Sequence, residues 1–532
     1  MSSRGQRPDA DVVRHRQTSR RPPSHAPSRR RRGTGTNGSV GGRATVQKNE
    51  NMPLATRQAS SNRHRNAKIE IGQLLLDQTF SARNFRKISD SEKRKGRVRD
   101  LDYFGSVREK TEELKSCIRA TKEFRRTHPG KYSDDEQAQF NLLKEKREEV
   151  RRERDDVLLE ELEDVSRNVN KRSFEIEFSQ APGPGGKSVY VIDIEKPAPY
   201  YAMKKLEANI SSLYKLKPAN RDEVMDQVID ILSDRFPYHV IRTDITSFFE
   251  SIPHKNILLK LRGDQLLSQK SLRILSSILH RYSSLAGTPG EGLPRGLGIS
   301  SYLSELYMRE FDRTIESLPD VVYSARYVDD IIVIFAPLPG SDMRNKKGLI
   351  EKLLRDIGLL MNQAPGKTKE SPTDHNGQPD SKNGWSFEYL GYNLSFSGGL
   401  SVQMSRKRLE RYKNRIRGTF QRYRDHSSKN PKRAYRLLLK RVRYLTSNTQ
   451  LTHNKQNAYV GIYFSNRHLS DFRDLNALDG LLSGQVRGVA SLSLRGKISA
   501  CSFVKGHQER IFRRFQKPGE FEEIVRAWKY EN

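Results

Sequence analysis

The sequence is short of cysteine and of acidic residues and has no long apolar run, and each shortage excludes a class of protein. Its 532 residues include two cysteines, Cys117 and Cys501, which are far apart and exclude a disulfide framework or a cysteine-bound metal cluster. No apolar run approaches the length of a membrane span, and the N-terminus lacks the apolar stretch of a secretory signal. We therefore expect a cytoplasmic protein with no membrane partner.

The shortage of acids leaves a large positive charge. Lys and Arg total 97 against 64 for Asp and Glu, a formal charge of +33 with a pI near 10.0, which is typical of proteins that bind a polyanion such as nucleic acid. Residues 1–66 hold fifteen Lys and Arg and three acids, so most of the excess lies in the rest of the chain. This tail, rich in Arg and Ser, also matches an organelle transit peptide, although it has little apolar periodicity.

Composition and spacing predict the first two regions of the chain. Residues 1–67 have few large apolar side chains and form a predicted disordered basic tail. Residues 68–199 form a predicted N-terminal extension. Within it, residues 106–170 are dense in charge with apolar residues three and four apart, which predicts two long exposed helices. Between them, Ser133 with Glu136 three residues on has the pattern of a capping box.

The same extension contains a segment similar to a phosphate-binding loop. Residues 181–188, APGPGGKS, match a relaxed form of the pattern in which Lys and Ser hold phosphate and magnesium. That loop works between a strand and a helix, because the helix N-terminus faces the phosphates. Here the β-branched stretch SVYVIDI follows, so the segment predicts a β-hairpin with a Pro-Gly turn.

Two adjacent aspartates interrupt the apolar stretch RYVDDIIVIF, residues 326–335. Strand-forming residues flank Asp329 and Asp330 on both sides, which predicts that the pair lies at the turn of a β-hairpin. Two unpaired carboxylates repel each other and are costly to bury, and a divalent cation removes that cost. Magnesium suits oxygen ligands and shares its coordination shell with phosphates.

A third aspartate ends another predicted strand, in VIRTDITSFFESI. Asp244 precedes Asp329 by eighty-five residues, and two neighbouring β-strands would bring their carboxylates together. Paired metal ions held by such acids clamp the attacking and leaving oxygens of an in-line phosphoryl transfer. The acids therefore predict a site with two magnesium ions for phosphoryl transfer.

Five segments resemble, in order, the palm motifs of reverse transcriptases. They are DITSFFESI, GLPRGLGISSYLSELY, RYVDDIIVIF, LLMNQAPGKTKE and FEYLGYNLSF. The resemblance implies an α+β fold of the right-hand polymerase type, with fingers and a palm antiparallel sheet over residues 200–400 and a helical basic thumb and C-terminal region over residues 401–532. It also implies an RNA-directed DNA polymerase that uses an RNA template, dNTPs and two Mg²⁺ ions to extend a 3′-hydroxyl into cDNA.

The resemblance implies catalytic roles at matching positions. Asp244 would be the first metal ligand, Asp329 the second, and Asp330 a supporting acid whose direct ligation stays open. Lys367, in the GKTKE segment, resembles the lysine that protonates pyrophosphate, with Lys369 as the competing choice.

The resemblance also implies nucleotide-binding residues. Phe249 resembles the aromatic gate that excludes a ribose 2′-hydroxyl, although an aromatic residue is equally good core material. Arg221 resembles the fingers arginine that grips the triphosphate. In GLPRGLG the glycines, including Gly296, would let the backbone approach nucleotide and template. Arg295 stands where the family often has Gln, so how the template base pair is sensed stays open. FEYLG resembles the primer-gripping hairpin, with core packing as the alternative for its aromatic rings.

Several absences narrow the kind of reverse transcriptase. The sequence lacks the Cys and His clusters of intron-encoded endonucleases, further ordered acids of a ribonuclease H domain, and the Val-Thr-Gly signature of retron enzymes. FSARNFRKISDSEKRKG, residues 80–96, and the motifs around it resemble bacterial defence-associated reverse transcriptases, most closely the first polymerase of type 3 anti-phage systems. This implies cDNA synthesis on a non-coding RNA, a second reverse transcriptase as partner in a homo- or hetero-oligomer, and anti-phage protection.

Other functions stay open at this point. A catalytically silent RNA-binding scaffold would be favoured by loss of an acid, and an RNA-synthesising polymerase by a small residue at the gate; neither change is present. A template-independent or protein-primed polymerase is a further alternative, because several tyrosines carry a usable hydroxyl. After Ser405, Arg and Lys alternate with Tyr and Phe along predicted helices, a pattern suited to phosphates and bases.

Overall fold

A computed structural model describes most of the chain. The described residues are 76–96, 98–183, 186–193, 195–234, 236–380, 382–451, 458–515 and 519–528. They belong to Ala67–Asn532, the second of the two units into which the chain divides. The tail predicted over residues 1–67 lies outside the described residues. Within the described part, no helix has both the length and the apolar character needed to cross a membrane.

Helices form the first part of the described chain. In chain order they are α1 (Ala82–Arg94), α2 (Asp100–Tyr103), α3 (Gly105–Thr127) and α4 (Asp134–Asn170). Helices α3 and α4 confirm the two long helices predicted from apolar spacing. The predicted capping box is also confirmed: the Ser133 hydroxyl accepts a hydrogen bond from the Glu136 backbone, and the Glu136 carboxylate accepts one from the Ser133 backbone. The box satisfies two N–H groups at the start of α4.

A β-hairpin and two helices follow. They are β1 (Phe178–Pro182), β2 (Ser188–Ile192), α5 (Pro197–Tyr214) and α6 (Arg221–Ser233). Strands β1 and β2 pair antiparallel, which confirms the predicted hairpin and rules out the strand-to-helix geometry of a phosphate-binding loop. Pro197 begins α5, at the position where a missing N–H costs nothing.

The central part of the chain contains two antiparallel sheets and their covering helices. Its elements are β3 (His239–Asp244), α7 (His254–Gly263), α8 (Gln269–Ala286), α9 (Gly298–Glu316), β4 (Val321–Tyr327), β5 (Asp330–Phe335), α10 (Lys346–Asp356), β6 (Lys369–Glu370), β7 (Trp385–Tyr389), β8 (Tyr392–Phe396) and β9 (Leu400–Met404). Four strands form one sheet in the order β4–β5–β3–β6, and β7, β8 and β9 form another. Helix α10 ends at Asp356, and the chain turns shortly afterwards at Gly358, whose φ is +80°.

The four-stranded sheet is covered on both faces, which explains why β5 is apolar at successive positions. Ile331, Val333 and Phe335 pack into one hydrophobic core, shared with α5, α8, α9 and α10. The alternating residues Ile332 and Ile334 pack into another core, shared with α6 and the β7–β9 sheet. Because side chains alternate between the faces of a strand, burial of both faces requires a continuous apolar run.

The C-terminal part of the described chain is mostly helical and has its own hydrophobic core. Its elements are α11 (Arg406–Ser427), α12 (Pro431–Leu445), β10 (Asn448–Gln450), β11 (Tyr459–Gly461), α13 (Ile462–Ser465), α14 (Arg473–Arg487), α15 (Leu492–Ser499), α16 (Phe503–Gln508) and α17 (Glu520–Val525). The sequence predicted a helical C-terminal region, and the structure differs from that prediction by the short antiparallel pair β10–β11. The architecture is thus mixed helix and sheet, whereas the domain boundaries given above stay predictions.

Candidate active site

The strand register brings the predicted acids to one end of the four-stranded sheet. Strands β3 and β5 run antiparallel, with Asp244 opposite Asp330. Asp329 lies between β4 and β5, directly after Val328, whose φ of 62° lies in the left-handed region. The Asp329 carbonyl accepts a hydrogen bond from the Ile245 N–H at 3.2 Å, which ties this turn to the end of β3. The predicted hairpin position of the aspartate pair is therefore confirmed.

Asp244 presents one occupied and one open carboxylate oxygen. The residue is buried, with 6% of its surface exposed. Its Oδ2 accepts hydrogen bonds from Lys367 Nζ at 2.9 Å and from Asn362 Nδ2 at 3.3 Å. Its Oδ1 is buried and has no hydrogen-bond partner in the described structure. A buried anionic oxygen without a partner is costly, so a cation bound at Oδ1 would remove a penalty.

The two candidate lysines differ in their contacts. Lys367 reaches the Asp244 carboxylate, whereas Lys369 lies in β6 with its backbone paired with Arg242 of β3. The role of either lysine toward pyrophosphate stays a prediction. Asn362, which also contacts Asp244, was not singled out by the sequence. Its position inside the motif LLMNQAPGKTKE, which also contains Lys367, was the signal that could have found it.

Arg242 is a second residue that the sequence did not single out. Its Nη2 donates to Asp330 Oδ1 and its Nη1 to the Lys367 carbonyl, both at 2.6 Å. Burial raises the pKa of Asp330; the Arg242 guanidinium opposes that rise, and the carboxylates of Asp329 and Asp244 add to it. Asp330 therefore lies close enough to both other acids for their charge to act on it. Arg242 and Asp244 are two apart on one strand, so they share a face, and this spacing was the signal for Arg242.

The described residues contain no group of three or more His, Cys, Asp or Glu side chains arranged to hold a metal ion. Two of the three clustered acids are instead neutralised by cations of the chain itself, Asp244 by Lys367 and Asp330 by Arg242. The open oxygen of Asp244 and the carboxylate of the neighbouring Asp329 therefore remain available to bind a divalent cation.

The two phenylalanines after Asp244 have different surroundings. Phe248 is in the core, with 1% of its surface exposed, whereas Phe249 is half-buried. The Arg295 guanidinium carbon lies 5.4 Å from the centre of the Phe249 ring, and Arg295 Nη2 donates to Glu250 Oε1 at 2.9 Å. The Phe249 carbonyl accepts a hydrogen bond from the Leu293 N–H at 2.6 Å. The structure thus brings Phe249 and Arg295 together.

Residues 202–394, which include all the residues just described, match the family described as reverse transcriptase (RNA-dependent DNA polymerase). The chain carries a reverse transcriptase domain. RNA-dependent DNA polymerase is the enzyme class of that domain.

Whole-chain comparisons give only distant likeness. The structure of telomerase from Candida albicans in complex with a TWJ fragment of telomeric RNA is 13% identical with a TM-score of 0.33, and the match covers 62% of this chain and 64% of that one. Apo telomerase from Candida tropicalis is 12% identical with a TM-score of 0.33, over 66% and 61% of the two chains. This chain therefore spans less than two thirds of each telomerase chain. No curated protein matches it in sequence.

Arg221, predicted to grip a triphosphate, contacts another part of the reverse transcriptase domain. Its Nε donates to the Leu390 carbonyl at 3.0 Å, and its guanidinium lies 5.7 Å from the centre of the Tyr392 ring. Arg408 donates to the same carbonyl at 3.2 Å. Phe387 and Tyr389, the two aromatic residues of FEYLG, are both buried, which favours core packing for these rings. The role of Arg221 toward a nucleotide stays a prediction.

Gly296 lies where the β1–β2 hairpin packs against the reverse transcriptase domain. Its φ is +99°, and a Cβ there would lie 2.8 Å from the Tyr190 carbonyl oxygen of β2. The Tyr190 N–H donates to the Arg295 carbonyl at 2.7 Å, so the β1–β2 hairpin docks onto the GLPRGLG loop. The close approach allowed by this glycine is therefore made by the protein's own backbone, and its role toward a nucleotide stays a prediction.

Arg326, at the end of β4, joins the acidic turn to α9. It is buried and makes hydrogen bonds at 2.8–3.1 Å to both carboxylates of Glu305 and Asp312. Its Nη1 also donates to the Val328 carbonyl at 3.0 Å, directly before Asp329. Although burial opposes protonation, the Asp312 and Glu305 carboxylates raise the pKa of Arg326 above its ordinary value. Arg326 therefore remains charged and holds the turn on the helix.

Proposed function

We propose that the protein is an RNA-directed DNA polymerase that extends a 3′-hydroxyl with dNTPs. The observation that carries the proposal is the β3–β5 register, which sets Asp244 opposite Asp330 with Asp329 in the adjoining turn, inside the matched reverse transcriptase domain. Carboxylates gathered at the end of a sheet suit phosphoryl transfer, because that chemistry depends mostly on positioning and on neutralising charge.

The residues present fit a divalent cation, which reverse transcriptases generally use. Asp244 and Asp329 would hold two Mg²⁺ ions, because the open oxygen, Oδ1, belongs to Asp244 and Asp329 lies beside it. Asp330 would support them, because Arg242 already engages one oxygen of Asp330. Bound magnesium would supply activation of the primer 3′-hydroxyl and neutralisation of the pyrophosphate.

The chain's own groups would do the rest. The Lys367 ammonium, on Asp244, would donate a proton to the leaving pyrophosphate. The Phe249 ring would occupy the space of a ribose 2′-hydroxyl and so exclude ribonucleotides. Arg221 would grip the triphosphate, and Gly296 would let the backbone approach the nucleotide and template.

The polymerase parts follow from this assignment. The four-stranded sheet would be the palm, residues 200–400 would contain palm and fingers, and residues 401–532 would be the thumb and C-terminal region. The sequences of α11 and α12 contain fifteen Lys and Arg against two acids, which suits contact with the phosphates of template and primer. An RNA template and a cDNA product are the polyanions this surface would meet.

Primer extension tests the activity. Wild type and Asp329→Asn are given a labelled primer on an RNA template with magnesium, first with dNTPs and then with NTPs. We expect extension by the wild type with dNTPs only, and a loss of about a hundredfold or more in Asp329→Asn. Asp90→Asn, an exposed aspartate of α1, is the matched control and should extend normally. Extension by Asp329→Asn at the wild-type rate would contradict the proposal, and no extension by any variant, with RNA co-purified from cells, would favour a scaffold.

For the biological role we propose cDNA synthesis on a non-coding RNA in bacterial anti-phage defence, with a second reverse transcriptase as partner. This rests on the resemblance of residues 80–96 and the motifs to defence-associated enzymes. Bacteria carrying both genes should resist phage, and Asp329→Asn should remove both the resistance and the cDNA detected by sequencing. Equal plaque counts with wild type and Asp329→Asn would reject the role without touching the polymerase activity.

A further inference from the structure

Glu250 and Arg295 surround the ring that the proposed function assigns to nucleotide selection. Phe249 and Glu250 belong to one short 3₁₀ turn, Phe248–Glu250, and Arg295 belongs to the loop before α9. Arg295 Nη2 lies 2.9 Å from Oε1 and 3.2 Å from Oε2 of Glu250, so one nitrogen is shared by both carboxylate oxygens. The same guanidinium covers the Phe249 ring at 5.4 Å.

The two loops are also joined through their backbones. The Leu293 N–H donates to the Phe249 carbonyl at 2.6 Å, and the Gly292 N–H donates to the Ile252 carbonyl at 2.9 Å. The Glu250 carboxylate is therefore held beside its partner Arg295, which lies on the other loop. With Glu250 in place, the Arg295 guanidinium cannot swing away without breaking both the ion pair and the contact with the ring.

The Phe249 ring also contacts the Phe248 ring, at 5.3 Å between centroids, while Arg295 lies over the Phe249 ring. Phe248 lies in the core, and Phe249 packs against that core. Without Arg295 the Phe249 ring would keep its core contacts and gain freedom on the side of the guanidinium. A gate that excludes a single hydroxyl depends on a ring position held to a fraction of an ångström.

We propose that Glu250 and Arg295 act together as positioning residues that hold Phe249 and so set the discrimination between deoxyribonucleotides and ribonucleotides. The proposal rests on the proposed function, in which Phe249 is the gate. It also gives a physical reason for arginine at position 295, since an uncharged amide would lack both the ion pair with Glu250 and the cation–π contact.

The test measures kcat/KM for one dNTP and the matching rNTP on the same primer and RNA template. Glu250→Gln removes the charge that holds Arg295, and Arg295→Lys keeps a charge but loses the planar guanidinium. We expect each to lower the ratio of dNTP to rNTP efficiency by about two- to thirtyfold, the range that corresponds to a cation–π contact. Arg313→Gln is the matched control, because Arg313 pairs with Glu310 on the exposed side of α9; its ratio should equal that of the wild type.

The ratio separates positioning from a merely structural effect, which would lower both efficiencies by the same factor. An unchanged ratio in whichever of the two variants folds, as judged by its melting temperature, overturns the proposal while leaving the polymerase activity standing. A wild type that extends with neither nucleotide would instead overturn the proposed function, and this proposal with it. The two failures are therefore distinguishable.

Discussion

Arg326 illustrates how much one buried charge can organise at the scale of the residue. Val328, a β-branched residue, holds a left-handed conformation directly before Asp329, and such a conformation costs about 1–2 kcal/mol. Arg326 accounts for the persistence of that strain, because it holds the Val328 carbonyl while its other donors engage two carboxylates of α9. The acidic turn is thus held against α9 by a buried arginine.

Arg326→Lys is expected to lower the free energy of unfolding by about 2–4 kcal/mol, because one ammonium cannot satisfy two buried carboxylates and a carbonyl. The measurement is urea unfolding followed by circular dichroism. Extension activity should fall as well, since the turn that carries Asp329 loses its brace. Arg313 is an exposed arginine of α9, the helix that Arg326 contacts. The free energy of unfolding of Arg313→Lys should stay within about 0.5 kcal/mol of the wild type. Superimposable unfolding curves for both variants would contradict the assigned role.

At the scale of elements, the β1–β2 hairpin is joined to the loop that carries Arg295. The Tyr190 N–H donates a hydrogen bond to the Arg295 carbonyl. The Tyr190 ring also packs edge-on against the Tyr282 ring, with 5.0 Å between centroids. This docking couples a hairpin from the predicted N-terminal extension to residues of the reverse transcriptase domain. The extension therefore takes part in shaping the candidate site.

Gly296→Ala is expected to undock this hairpin. The added methyl group would meet the Tyr190 carbonyl oxygen at 2.8 Å, closer than a Cβ contact tolerates, in addition to the strain of a positive φ. We expect a loss of about 2–4 kcal/mol in urea unfolding. Gly287→Ala is the matched control: its φ is +68° but open space surrounds the position, so it should cost only about 1–2 kcal/mol. Equal losses in the two variants would show that the contact with Tyr190 adds nothing.

At the scale of the whole molecule, positive charge is spread beyond any one segment. The tail over residues 1–66 has twelve more basic than acidic residues, and helices α11 and α12 together have thirteen more basic than acidic residues. Charges that contact phosphates release counterions, so binding to nucleic acid should weaken steeply with salt.

Removal of residues 1–66 is expected to weaken binding to single-stranded RNA and to flatten its dependence on salt, because each lost phosphate contact lowers the slope by about 0.7. Fluorescence anisotropy across a KCl series measures both. Extension on saturating RNA at low salt should remain at the wild-type rate, which serves as the control for the folded remainder. Identical affinities at every salt concentration would mean that this tail does not contact RNA.

Much of the site could be predicted from the sequence, because the signals are local. The apolar flanks of Asp329 and Asp330 predicted a hairpin turn, and the residues around Ser133 predicted a helix start; both depend on neighbours within a few positions. The ordered motifs located Lys367 and Phe249 as well. Each of these features depends on residues that are close together in the sequence.

The tertiary structure decided what depends on partners far apart in the chain. The register of β3 with β5 and β6 decides that Arg242 engages Asp330 and that Lys367, rather than Lys369, reaches Asp244. The packing of the turn after β3 decides that Phe248 is core whereas Phe249 is half-buried. Periodicity along one strand tells which residues share a face, but register between strands is set by packing on both faces of the sheet. The sequence by itself therefore determined which residues are candidates for the chemistry, and only the packed sheet decided which of them touch.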